Sequence, residues 1–124
     1  MPTLQGLVEN LKSEGWLKTE KIIEAFKKIK REDFAIDKDL SYFDTALEIG
    51  KGQTISQPLV VAFMLELLQP KKGEKILDIG SGSGWTTALL AHCVGKNGKV
   101  IAVEIIPELK EFGENNVKKY NFIK

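Results

Sequence analysis

Asp78-Ile79-Gly80-Ser81-Gly82-Ser83-Gly84-Trp85 sets three glycines at alternate positions between an apolar run and a second apolar stretch. Glycines in such a place let the backbone turn sharply from strand to helix and let a ligand approach the main chain. Working outward, Lys75-Ile76-Leu77-Asp78-Ile79 reads as a short strand and Trp85 to Val94 as a helix. Gly95-Lys96-Asn97-Gly98 is a turn, Lys99 to Val103 a second, β-branched strand ending at Glu104, and Pro107 opens a last helix towards Tyr120. Strand, helix, strand, helix predicts an α/β fold with parallel strands and right-handed crossovers.

The spacing of the glycines narrows the chemistry. In a dinucleotide fingerprint, G-x-G-x-x-G, the third glycine would fall at position 85, which is Trp. A phosphate-cradling P-loop needs a Gly-Lys-Ser/Thr ending, which the stretch lacks. Asp78 at the strand end would repel a pyrophosphate and attract a cation such as an amino-acid ammonium. Glu104 ends the next strand, where doubly wound folds use an acid to accept hydrogen bonds from ribose hydroxyls. A cationic amino-acid moiety plus a ribose describes S-adenosylmethionine. The competing reading is an ordinary tight turn with incidental acids.

Upstream the chain opens with helices. Thr3 is a candidate N-cap, Leu4, Leu7, Val8 and Leu11 recur at helical spacing, and Gly15 stops the run. Thr19 is expected to cap a second helix with Ile22, Ile23, Phe26 and Ile29 on one face. The basic run Lys27, Lys28, Lys30, Arg31 reads as a solvated helix end favoured by the macrodipole. Gly50-Lys51-Gly52 signals a turn, and Gln53-Thr54-Ile55 a short extended piece. Pro58 suits a first helical turn, with Ser56 or Gln57 as cap, and the apolar run Leu59 to Leu68 predicts a helix buried on most sides. No flexible linker separates the helical front from the βαβα back, so one domain is expected.

Composition supports this and excludes much else. The 124 residues are 43% hydrophobic and 28% charged, with 18 Lys+Arg against 17 Asp+Glu. That is the composition of a globular domain, and one cysteine, Cys93, excludes a disulfide scaffold and fits a reducing compartment. No apolar run approaches the roughly 20 residues of a membrane helix, and the start lacks a signal-peptide pattern, so the cytoplasm is expected. Net charge +1 supplies no global attraction for nucleic acid. His92 beside Cys93 reads as packing, and one His with one Cys makes a poor zinc site, so no metal is expected. Trp16 and Trp85 read as packing residues as well.

Several segments together resemble the protein-L-isoaspartate (D-aspartate) O-methyltransferase family. Arg31-Glu32-Asp33-Phe34 is similar to its Arg-x-x-Phe, and Tyr42 and Asp44 to its Tyr-x-Asp. Ile49-Gly50-Lys51-Gly52-Gln53-Thr54-Ile55-Ser56-Gln57-Pro58 resembles its most specific signature. Leu77 to Trp85 is similar to its cofactor loop, and Val103-Glu104-Ile105-Ile106-Pro107-Glu108-Leu109 to its second-strand motif, with Ile105 where Arg is usual. The resemblance implies part of a Rossmann-like Class I methyltransferase fold with a helical N-terminal region. It implies S-adenosylmethionine as cofactor and methyl transfer to isoaspartyl carboxylates of damaged proteins. Thr54 and Ser56 would face the substrate, while Asp78, Gly80, Ser81, Gly82, Gly84, Trp85, Glu104 and Ile105 would contact the cofactor.

The resemblance also sets a boundary. Family domains have about seven strands, so residues 1–124 would be a single truncated domain, with 1–57 a cap and substrate-side segment and 58–124 the cofactor-binding half. Lys75–Ile79 would then offer an unpaired apolar edge, from which a homodimer or higher oligomer is expected. Cofactor binding weaker than micromolar, and weak or absent turnover, are expected too. The alternatives are a methyltransferase with another substrate, or a non-catalytic module that oligomerises.

Overall fold

A computed structural model describes residues 2–121. Helix α1 (Leu4–Ser13) starts as expected at Thr3, whose Oγ1 accepts the Gly6 N–H at 3.0 Å, and stops before Gly15 in the left-handed conformation. Helix α2 (Glu20–Lys28) buries Ile22, Ile23, Ala25 and Phe26. Its first turn is not capped by Thr19 as a side chain. The Thr19 hydroxyl donates to Glu66 Oε1 at 2.7 Å, and Glu66 Oε2 takes the Lys18 and Thr19 N–H groups at 2.8 and 2.9 Å. A carboxylate 47 residues away thus satisfies donors that a local cap would otherwise meet.

Two short 3₁₀ turns, Arg31–Phe34 and Lys38–Leu40, lead to the antiparallel hairpin β1 (Leu47–Gly50) and β2 (Gln53–Ile55). Its turn places Lys51 in the left-handed region, φ 56°, between Gly50 and Gly52. Helix α3 (Pro58–Leu68) follows, with proline in its first turn. Neither Ser56 nor Gln57 caps it through a side chain. Asp44 Oδ1 does so, accepting the Leu59 N–H at 2.9 Å, because the preceding loop folds back against the helix start.

Helix α3 departs from the expectation of burial on most sides. Pro58, Val61, Ala62 and Leu65 are buried, whereas Val60, Phe63, Met64, Leu67 and Leu68 are exposed. Among the described residues α2 packs on one face and Trp16 meets Phe63 edge to face at 5.8 Å, while much of the apolar periphery remains open. The remaining elements are β3 (Lys75–Ile79), α4 (Trp85–Val94), β4 (Lys99–Val103) and α5 (Pro107–Val117). Strands β3 and β4 are parallel and in register from Lys75↔Lys99 to Ile79↔Val103, as the element order requires. Ile76, Asp78 and Val100 are half-buried, with Ile76 and Val100 packed on the helical core. Leu77, Ile79, Ile101 and Val103 line the opposite, open face. Nearly all the buried apolar residues form one cluster running from Leu7 in α1 to Val117 in α5.

Candidate functional site

The glycine loop extends the β3–β4 ladder and then turns away from it. Gly80 and Ser81 N–H both donate to Val103 O, at 2.8 and 3.1 Å, and Gly84 N–H closes a turn on Ser81 O at 2.9 Å. Gly84 has φ +90° and sits directly against α5. A Cβ there would lie 2.9 Å from both Gly113 O and Val117 Cγ2. Asn116 Nδ2 donates to Ser83 O at 2.9 Å, and both residues are buried. The loop is therefore seated on α5 by Gly113 and Asn116, two residues that motif reading passes over. A glycine inside the otherwise ordinary helical stretch 107–117 was the available signal.

The two strand-end acids behave differently. Asp78 is half-buried and accepts the Thr87 hydroxyl at 2.6 Å. Burial pushes its carboxyl above the usual aspartate range, and the Thr87 hydrogen bond works against that shift. Glu104 holds its two oxygens against backbone donors, with Gly82 N–H at 2.8 Å and Ile106 N–H at 3.2 Å. Each oxygen keeps capacity for a further donor. Ile105 beside it is 94% exposed. A cleft of about 300 Å³ adjoins Ser81, Thr87 and Glu104, between β4 and α5. A larger one, about 660 Å³, opens by His92, Gly95 and Lys96 at the other end of the strands and includes no loop glycine.

The hairpin meets this loop. A Cβ on Gly82 would stand 3.4 Å from Cδ1 of buried Ile49, and Lys51 Nζ lies 3.5 Å from Glu108 Oε2 at the start of α5. Thr54 and Ser56 are exposed at the end of the hairpin. The sequence-expected residues Gly80, Ser81, Gly82, Gly84, Asp78, Glu104 and Ile105 thus gather at one end of β3 and β4, beside the hairpin that leads to Thr54 and Ser56.

Trp85 is placed otherwise. The residue is 2% exposed and its ring meets Phe26 edge to face at 5.6 Å, as packing predicts. Above it lies Arg31, which does not belong to the solvated basic run. Arg31 is 1% exposed because loop carbonyls at 41, 43, 45 and 56 converge on its guanidinium. Burial pulls that guanidinium down to about 10, with Asp44 opposing the shift, so it stays protonated at neutral pH. Away from the site, Cys93 is buried and its thiol is pushed up to about 11, while His92 pairs with Glu24 at 2.9 Å. Among the described residues no helix is long and apolar enough to cross a membrane.

Comparison with known proteins agrees with this arrangement. Residues 3–123 match the family profile described as protein-L-isoaspartate(D-aspartate) O-methyltransferase. A Methanopyrus kandleri protein-L-isoaspartate O-methyltransferase is 47% identical over 120 residues, which are 95% of this chain and 53% of that protein. One from Aeropyrum pernix is 44% identical over 118 residues, 94% of this chain and 45% of that protein. A Plasmodium falciparum protein described as a protein-L-isoaspartate O-methyltransferase, crystallised with S-adenosyl-L-homocysteine, superposes with a TM-score of 0.88 at 30% identity. The overlap covers 98% of this chain and 57% of the other. The chain spans about half the length of these relatives. Since the profile covers almost every residue, the chain belongs to the protein-L-isoaspartate (D-aspartate) O-methyltransferase family.

Proposed function

We propose that this chain carries the cofactor loop and substrate-side hairpin of an S-adenosylmethionine-dependent methyltransferase acting on isoaspartyl carboxylates in damaged proteins. The observation that carries the reading is the meeting of the hairpin with the loop, through Ile49 on Gly82, and with the start of α5, through Lys51 on Glu108. The residues suit such a cofactor. A Cβ on Gly80 would meet nothing within 4 Å, so the loop faces open space, and two carboxylates and an exposed isoleucine flank it.

When bound, S-adenosylmethionine supplies a sulfonium methyl group. Asp78 attracts the ammonium of its amino-acid part. Glu104 offers its remaining lone pairs to ribose hydroxyls, and Ile105 offers apolar surface next to them. Thr54 and Ser56 hold the isoaspartyl group. That carboxylate is ionised at neutral pH, so the chain contributes alignment and exclusion of water rather than a strong base. Cys93, single and buried, suits a reducing, cytoplasmic setting.

Two measurements test the reading. Calorimetric titration with S-adenosylhomocysteine is expected to give binding weaker than about 1 μM, because the described loop lines one wall of a cofactor. A methyl-ester assay is expected to label an isoaspartyl peptide slowly and its aspartyl counterpart not at all. Equal labelling of both peptides, or no binding at millimolar ligand, overturns it.

The open strand face favours a second, compatible reading, association of like chains. Among the described residues strand β3 is paired on one side only, and Ile79 beside that free edge is 76% exposed. Sedimentation at tens of micromolar is expected to show a dimer or larger species, and a monomer throughout that range counts against it.

A further inference from the structure

Arg31 is the largest fully buried side chain of the described residues, and it makes no ion pair among them. Its fork instead collects backbone oxygens. Nη1 donates to Ser41 O at 2.7 Å and Phe43 O at 3.3 Å, and Nη2 to Thr45 O at 2.7 Å and Ser56 O at 3.0 Å. The acceptors belong to two segments, the loop before β1 and the joint between β2 and α3. A planar guanidinium with fixed donor directions sets the carbonyls it binds in one mutual geometry, which a flexible ammonium cannot do. The same group lies over the Trp85 ring, its central carbon 5.2 Å from the ring centre. Trp85 is the residue immediately after Gly84, so one side chain spans the hairpin's far end and the exit of the glycine loop.

Resting on the proposed substrate-side role of Ser56, we infer that Arg31 is a positioning residue. It holds the Thr45 and Ser56 main chain in fixed relation to the glycine loop, acting through Ser56 and Trp85. Removing it frees this rim while the helical front stays folded.

The test needs no turnover. Amide hydrogen exchange is compared between the natural chain, Arg31→Met and Arg31→Lys. The expected result is exchange at least about tenfold faster across residues 43–57, with smaller changes inside α1 and α4. In a Trp16→Phe background, where Trp85 is the sole indole, Arg31→Met is expected to shift its emission and Arg31→Lys to restore part of the shift. Unchanged exchange, or an equal loss of protection along the whole chain, overturns the inference and leaves Arg31 as core filling. If neither variant folds, nitrogen NMR of the natural chain decides. Separate, slowly exchanging Nη protons on Arg31 support the pin, and averaged, fast-exchanging ones overturn it. Titration of the natural chain with S-adenosylhomocysteine is read separately. Failure to bind refutes the functional reading alone, and an unloosened rim refutes the role of Arg31 alone.

Discussion

Gly113 sets two ordinary effects against each other. In a helix interior, alanine is favoured over glycine by about 1 kcal/mol. Here a Cβ would stand 2.7 Å from Gly82 O, a backbone atom of the glycine loop. Overpacking against main chain costs about 1–3 kcal/mol, so the contact outweighs the propensity. Gly113→Ala is expected to lower stability in urea denaturation and to weaken S-adenosylhomocysteine binding; a stabilised variant would show that the loop yields freely. Thr87 makes a similar point through charge. Its hydroxyl restrains the burial-raised Asp78 carboxyl. An acid raised in the fold binds more protons there than in the unfolded chain, so its contribution falls as pH rises above the ordinary aspartate value. Thr87→Val removes the restraint, and the thermal midpoint is expected to fall more steeply between pH 4 and 7 than in the natural chain.

Among the elements, α2 and α3 are both capped from a distance, by Glu66 and Asp44. Burial works to raise the Glu66 carboxyl, but hydrogen bonds from Thr19, Lys18 and Gln69 outweigh it and hold the group below its usual value. Its stabilisation is therefore complete above the unfolded carboxylate range and lost as pH falls through the folded value. Glu66→Gln is expected to cost about 1 kcal/mol at pH 7 and to flatten stability against pH below 5, with the opposite slope to Asp78; an unaltered acid limb would contradict this. The helix ends were legible where the signal is local, at Thr3, Gly15, Pro58 and Pro107, and the β3-to-α5 succession was legible whole. The distant caps were not, because nothing near Thr19 records a carboxylate 47 residues away. Arg31 was misread for the same reason. Its neighbours Lys27, Lys28 and Lys30 are solvated, and only the chain's return at residues 41–56 encloses it. In the site, the glycines and acids stood out as motifs, whereas Asn116, Gly113 and Thr87 matter through contacts made across elements.

For the whole molecule, the contrast is between one continuous core and two bare apolar surfaces, on α3 and on the open face of β3 and β4. A periodic apolar run reports how much surface an element can bury, not whether a neighbour is there to bury it, which is why α3 reads as more enclosed than it is. Substituting an exposed side chain removes little packing. Ile79→Lys is thus expected to change the denaturation free energy by less than about 0.5 kcal/mol while reducing self-association in sedimentation; a large loss of stability would mean that face is covered. The core is also closed late along the chain. Phe34 stacks on Tyr120 at 5.9 Å, and the Tyr120 hydroxyl meets Asp33 at 2.6 Å and Lys30 N–H at 2.9 Å. Partners about ninety residues apart must wait for one another during synthesis. The early helices leave the ribosome with Phe34 unmatched, and the growing chain carries that sticky site until its hundred-and-twentieth residue emerges, an interval in which a chaperone has something to hold.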